Sequence, residues 1–248
     1  MPETSIIIRT KNEEKWLGEV LKRLFGQTYK DFEVIIIDSG STDKTLEIAK
    51  KFPVTILQIP PKDFSYPYAL NYAITRSKAT KYIAIISGHS IPVSDKFLEE
   101  GIKDFERFDK IMGVFGIWQA LPDGTIWDKL IINIGFGFPD KYFRRRILEK
   151  KMRAGTMQFT NSIILKSLWE KRKFNEKFGM GGEDMEWADY WFKKGYWAVW
   201  DRALTVQHSH HLSLKGWQKQ FKHWSTLSKP LPFEPLKFRK SKTHSPLN

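Results

Sequence analysis

Residues 31–49, Asp-Phe-Glu-Val-Ile-Ile-Ile-Asp-Ser-Gly-Ser-Thr-Asp-Lys-Thr-Leu-Glu-Ile-Ala, decide the fold. Phe32–Ile37 is an apolar, largely β-branched run, the pattern of a strand buried on both faces. It stops at Asp38, and Ser39-Gly-Ser-Thr-Asp43 follows as a turn that caps a helical stretch, Lys44–Lys51. The same order recurs on either side. Ser5–Arg9 is a short strand, followed by Trp16, Leu17, Val20, Leu21 and Leu24 at helical spacing. Val54–Ile59 reads as a strand, Tyr68–Ser77 as a helix and Tyr82–Ile86 as a fully buried strand. Strands alternating with helices predict the α/β class, with a largely parallel sheet and ligands at the carboxyl ends of its strands. The second half is less regular: Met112–Ala120 and Thr160–Leu165 are predicted strands and Glu183–Lys194 a predicted helix. Four prolines among the last nineteen residues (Pro230, Pro232, Pro235, Pro246) predict an extended C-terminal segment.

The 248 residues fit one domain, or one domain and a tail, and 41% hydrophobic with 28% charged residues excludes a disordered chain. The absence of Cys excludes disulfides and thiolate metal sites. No apolar run reaches the ~18 residues of a bilayer span. Met1-Pro-Glu-Thr-Ser leads straight into a strand without a signal-peptide layout, so the expected location is cytoplasmic, with room for peripheral contact at the inner face of the membrane. A formal charge of +13 attracts nucleic acid, anionic lipid headgroups or phosphorylated substrates. Seven basic residues stand against one acid between Lys141 and Arg153, and the tail from Thr226 is also basic. The cations do not interleave with aromatics as in a nucleic-acid module, so no nucleic-acid partner is expected. Ten Trp fit either a sugar-lined site or a Trp-rich core.

Three constellations carry chemistry. Asp38 closes a strand, where a carboxylate can accept from a nucleobase N–H or ribose hydroxyls. Gly181-Gly-Glu-Asp184-Met-Glu-Trp187 places Glu183 and Asp184 in the first turn of a helix, where free N–H groups and the helix dipole favour ionised carboxylates. A carboxylate so held is what a general base requires. Val206-Gln-His208-Ser-His210-His211 sets His208 and His210 on one face of a strand, the start of a metal or pyrophosphate site.

Taken in order, SIIIRTKNEEKWL (5–17), QTYKDFEVIIIDSGSTDKTLEIA (27–49), FSYPYALNYAI (64–74), YIAIISGHSIP (82–92), TNSIILKSLWE (160–170), GGEDMEWADYW (181–191) and HSHHLSLKGWQKQF (208–221) resemble the family-2 glycosyltransferases. The resemblance covers roughly residues 4–224. It implies the GT-A fold, a Rossmann-like and mostly parallel sheet flanked by helices in a single domain. Residues 1–225 would form that domain, nucleotide-binding to about 92 and acceptor-binding from about 93, with residues 226–248 as the basic tail. It also implies an inverting transfer from a UDP-, GDP- or dTDP-sugar to a hydroxyl of a glycan or lipid-linked saccharide. Thr10 and Asp38 match the nucleobase and ribose positions, Asn71 the diphosphate region, Asp184 the catalytic base, and His208 and His210 the late histidine segment. Glu183, Trp187 and Arg144 are expected to meet the acceptor, with Gly135–Ala154 as a mobile lid bearing Arg144, Arg145 and Arg146.

Two departures stand out. The family's cation-binding Asp-x-Asp is replaced by Ser87-Gly-His89-Ser90, which makes Ser87 and His89 its occupants. The usual cation before Ala-Leu-Asn is replaced by Pro67-Tyr68. A divalent cation, Mn²⁺ or Mg²⁺, would then rest on His89 with His208 or His210. Alternatively, basic side chains neutralise the diphosphate directly. Gln220-Phe-Lys-His-Trp224 echoes a motif of processive synthases with His223 in place of Arg, but without membrane spans processive synthesis is not expected.

Overall fold

The isoleucines at positions 6–8 and 34–37's β-branched run build the centre of the sheet, because branched side chains pack well on a pleated surface covered on both sides. The computed structural model describes residues 1–135, 145–152 and 155–227. Strands β1 (Thr4–Thr10), β2 (Phe32–Asp38), β3 (Thr55–Gln58) and β4 (Tyr82–Ser87) run parallel to one another. They alternate with helices α1 (Leu17–Phe25), α2 (Thr45–Ala49) and α3 (Tyr66–Thr75). After the short β5 (Ile91–Pro92) come α4 (Phe97–Arg107), β6 (Ile111–Phe115), β7 (Trp118–Gln119) and α5 (Ile126–Leu130), which continues as a π-helical turn to Gly135. The remainder is β8 (Arg146–Glu149), β9 (Asn161–Leu165), α6 (Lys166–Lys171), α7 (Glu183–Lys193), β10 (Trp197–Asp201), β11 (Val206–Gln207) and α8 (Leu214–Leu227).

The main sheet has the order β3-β2-β1-β4-β9-β6-β10-β8, with β9 antiparallel to both its neighbours and β8 antiparallel to β10. A small sheet, β5-β11-β7, stands beside it. Alternation along β1 divides the core into two layers: Ile6 and Ile8 pack with α1 and α4, Ile7 with α3 and α7. Each fully buried Ile contributes about 1.5–3 kcal/mol. Six of the ten Trp (118, 169, 187, 191, 200 and 217) are buried in these layers, so the aromatic richness is chiefly core.

The predicted strand Met112–Ala120 is two strands in two sheets. The chain breaks at Gly116, where a Cβ would lie 2.0 Å from the Leu204 carbonyl oxygen, so only glycine lets the two backbones pass. Asn161 locks the crossing, donating through Nδ2 to the Leu204 carbonyl at 2.8 Å. Helix α8 begins at Leu214 and runs past the expected domain limit at 225. The predicted proline-containing tail lies outside the described residues, apart from its first two positions.

Candidate active site

Parallel register brings the ends of three strands to one level, pairing Thr10 with Asp38 and Arg9 with Ser87. Asp38 is fully buried and its carboxylate is filled by the protein itself. Oδ1 accepts from the backbone N–H of Gly40 (3.0 Å) and Ser41 (2.9 Å), and Oδ2 from the hydroxyls of Thr10 (3.1 Å) and Ser41. The loop after β1 is zipped to this turn: Asn12 Oδ1 accepts from Thr42 N–H at 2.8 Å, and Glu14 N–H donates to Asp43 at 3.1 Å.

Beside this turn three imidazoles converge. His89 follows β4, while His208 and His210 follow β11, so they meet through the small sheet and not along one strand. The ligand nitrogens of the three lie within 4.8 Å of one another. His89 Nδ1 is 2.7 Å from Glu13 Oε1, and His208 Nδ1 is 3.0 Å from the Ser90 hydroxyl, itself 2.8 Å from that of Ser87. These outer partners leave each Nε2 facing inward. His89 Nε2 is buried without a hydrogen-bond partner, and His208 Nε2 and His210 Nε2 are 3.0 Å apart. Burial, then the neighbouring rings, push His208 well below the ordinary histidine range. His210 is lowered to about 4 by burial and then by His89, against the pull of Asp128; it lies at the exposed rim, where solvent softens the effect, so the fully enclosed His208 is the firmer case. Imidazoles braced on Nδ1 by a carboxylate or a hydroxyl are the usual surroundings of metal-binding histidines. The residues present therefore fit a divalent cation, and the lowered values of His208 and His210 disfavour the alternative of their imidazolium forms pairing with a diphosphate.

Helix α7 supplies the carboxylates. Gly181 and Gly182 precede it at φ 130° and 93°, a backbone that side chains rarely adopt, and this turn delivers Glu183 and Asp184 inward. Glu183 is buried, its Oε1 3.5 Å from Arg9 Nη1 and its Oε2 without a hydrogen-bond partner. Burial, with the adjacent Asp184 charge, pushes it up to about 7, against the pull of Arg9. Asp184 is half-buried and accepts from Met185 N–H at 2.7 Å; burial raises its carboxyl, opposed by that bond, by Arg9 and by the Phe159 N–H.

Other expectations change. Trp187 does not reach an acceptor: one turn beyond Glu183 it faces the sheet, wholly buried against Phe159 and Phe174, and its Nε1 donates to the Arg172 carbonyl at 2.8 Å. Asn71 spends every hydrogen-bonding position within the protein. Its Nδ2 donates to the Phe174 carbonyl and Glu176 (both 2.9 Å), and its Oδ1 accepts from Trp169 Nε1 and Phe174 N–H (both 3.1 Å), leaving nothing for a diphosphate. Arg144 lies outside the described residues. Arg145 and Arg146 are not on a free lid. Arg145 pairs with Glu100, and Arg146 with Glu100 (2.7 Å), Asp104 and Asp201 (both 2.8 Å), which fixes β8 to α4 and β10. Sequence reasoning missed Arg9, Glu13 and Ser90; an arginine inside an isoleucine strand was the one local signal among them.

A parallel first half joined to a second half through an antiparallel strand, with carboxylates and histidines near the strand ends, is the GT-A architecture. The profile of glycosyl transferase family 2 matches residues 5–172, well over half of the chain, and the chain belongs to that family. Relatives include the dolichyl N-acetyl-alpha-D-glucosaminyl phosphate 3-beta-D-2,3-diacetamido-2,3-dideoxy-beta-D-glucuronosyltransferase of Methanococcus voltae, 36% identical over 130 residues, 48% of this chain and 40% of that protein. An O-antigen chain rhamnosyltransferase of Salmonella anatum is 25% identical over 216 residues, 85% of this chain and 67% of that one. Among solved structures, a mannosyltransferase from Pyrobaculum calidifontis in complex with GDP-Man and Mn²⁺ superposes with a TM-score of 0.65 at 16% identity, covering 95% of this chain and 66% of the other. The match to the Methanococcus protein thus spans less than half of that relative's length.

Proposed function

We propose that the protein transfers a sugar, with inversion, from a nucleoside-diphosphate sugar to a hydroxyl of a glycan or lipid-linked saccharide. The observation that carries this is the convergence of the three histidines beside the strand ends, together with the carboxylate pair of α7 held at Arg9, whose charge also reaches His208. Asp184 accepts the acceptor's proton as its oxygen attacks the anomeric carbon. The nucleoside diphosphate departs from the opposite face. A raised carboxyl is a stronger base than an exposed one, which brings it nearer working pH. Thr10 and Asp38 form the floor of the nucleoside site, a base or ribose group reaching Asp38 by displacing the Ser41 hydroxyl.

His89, His208 and His210 would hold the divalent cation, and Glu13, Ser90 and Ser87 orient them. That cation would supply charge neutralisation at the departing diphosphate. Imidazole ligands favour Mn²⁺, Co²⁺ or Zn²⁺ over Mg²⁺, which prefers oxygen. The Pyrobaculum neighbour was solved with Mn²⁺ and the Methanococcus relative is named for a dolichyl phosphate-linked sugar, and both support the reading. Among the described residues no helix is long and apolar enough to cross a membrane. An exposed apolar stripe, Ile126, Trp127, Leu130 and Ile134, lies beside the acid-free helix α8 and supports peripheral contact with an anionic bilayer that carries the acceptor.

The test is a thermal-shift screen of UDP-, GDP- and dTDP-sugars with and without Mn²⁺, followed by proton NMR of the product's anomeric configuration. A donor that raises the melting temperature and yields the inverted anomer is expected. Retention of configuration, or no stabilisation by any nucleotide sugar, overturns the proposal.

A further inference from the structure

Among the described residues, Arg9 is a cation at the site that the scheme above leaves without a task. Arg9, at the end of β1, donates from Nη2 to the Phe159 carbonyl at 2.9 Å, and the N–H of that same Phe159 reaches the Asp184 carboxylate. Its Nη1 lies 3.5 Å from Glu183, the residue before Asp184. The Tyr66 ring covers the guanidinium face at 4.6 Å, and Tyr66 is itself tied by its N–H to the Gly179 carbonyl at 3.0 Å, in the loop that leads to α7. The guanidinium is therefore fixed by strand, helix and loop together.

We propose that Arg9 is a positioning residue for Asp184, gripping it through Phe159 on one side and through Glu183 on the other. The inference rests on Asp184 being the base. A lysine supplies the charge but not the planar fork that spans a carbonyl and a carboxylate at once. A buried cation at this range also favours the ionised form of the pair, which burial opposes. The charged and titratable groups around the pair are Arg9 from β1 and, farther across the site, His208, on which the same guanidinium acts.

Carboxyl-carbon NMR titration of Glu183 and Asp184 in the wild type, Arg9→Lys and Arg9→Met tests this without any substrate. In folded Arg9→Met the pair's titration is expected to move up by about 1–3 pH units, as for a carboxylate that loses a neighbouring cation. Arg9→Lys, the variant retained if Arg9→Met does not fold, should titrate close to wild type. It should also lose kcat while keeping KM for the donor found in the screen, because charge stays and geometry goes. An unchanged titration in folded Arg9→Met, or wild-type kcat in Arg9→Lys, overturns the proposal. So does a loss of UDP or GDP affinity with the titration unmoved, which would place Arg9 on the donor phosphates. Full turnover in Asp184→Asn would instead remove the base while leaving the titration result standing, so the two failures are distinguishable.

Discussion

His89 presents Nε2 to the other two rings because its Nδ1 is held 2.7 Å from Glu13 Oε1. Glu13→Gln keeps the shape but weakens that brace, and Mn²⁺ affinity measured by calorimetry should fall by about 10–100-fold, the usual cost of an outer partner. Unchanged affinity would place the cation elsewhere. Asp184→Asn keeps nearly the same volume but cannot accept the proton, and turnover should drop by about 10²–10⁴-fold with nucleotide affinity held. A variant keeping more than a tenth of the activity, under ~1.4 kcal/mol of barrier, would exclude Asp184 as the base. His208 binds fewer protons folded than unfolded, so its contribution to stability shrinks as pH falls below the unfolded value of ~6.5. Glu183 acts oppositely, its raised value favouring the folded state as pH falls through about 7. Replacing His208 by Asn should therefore shift the pH dependence of the urea midpoint toward greater relative stability at pH 5 than at pH 7. An identical dependence in both proteins would show that His208 does not titrate as an enclosed neutral ring. The histidines and the α7 acids were readable from sequence as clusters of scarce residue types. Glu13 was not, because a Lys-Asn-Glu-Glu stretch is indistinguishable from a solvated loop until β4 brings His89 beside it. Trp187 misled because sequence marks a helix without marking which side meets the sheet.

Among the elements, Asn71 joins α3 to α6 and to the segment before α7 at four hydrogen-bonding positions. Asn71→Ala leaves the Trp169 and Phe174 N–H groups buried and unpaired, and should cost about 1–3 kcal/mol per uncompensated group in urea unfolding. Nucleotide affinity of the folded variant should stay within about twofold; a larger loss with unchanged stability would return Asn71 to the diphosphate. The first four strands were legible because each is a continuous apolar run closed by a turn. The split of residues 111–119 between two sheets was not, since Gly116 reads as an ordinary interruption until Leu204, far along the chain, is seen against it. Strand β10 escaped because its Trp-rich stretch lacks a clean period of two, whereas Leu214, Trp217, Phe221 and Trp224 of α8 do recur at helical spacing and the sequence reading passed over them.

At the scale of the molecule, the +13 charge acquires a location. Helix α8 carries exposed Lys215, Lys219 and Lys222 with no acid in its sequence, and its start is bonded to α5 through Thr125 and Asp128. On the outer side of α5 and its continuation, Ile126 is 63% and Ile134 55% exposed. The protein should sediment with vesicles containing phosphatidylglycerol at low salt and far less with phosphatidylcholine alone, since surface charge is screened within about 8 Å at physiological ionic strength. Ile126→Glu with Leu130→Glu should weaken that binding several-fold while leaving donor binding unchanged. Equal sedimentation of variant and wild type, or a wild type that dimerises instead of binding vesicles, would remove the stripe from the bilayer.

The braced imidazoles have one more consequence, for the order in which ligands arrive. A cation site built from carboxylates is strongly negative when vacant and repels a diphosphate until the ion is seated, so metal must come first or with the nucleotide. Here the ligands are imidazoles, burial keeps His208 and His210 uncharged, and Arg9 stands at the same end of the sheet. On the proposed reading, such a vacant ligand set would put no comparable barrier before an incoming nucleoside diphosphate. Nucleotide and ion would then, on that reading, reach the site along independent routes, either one first.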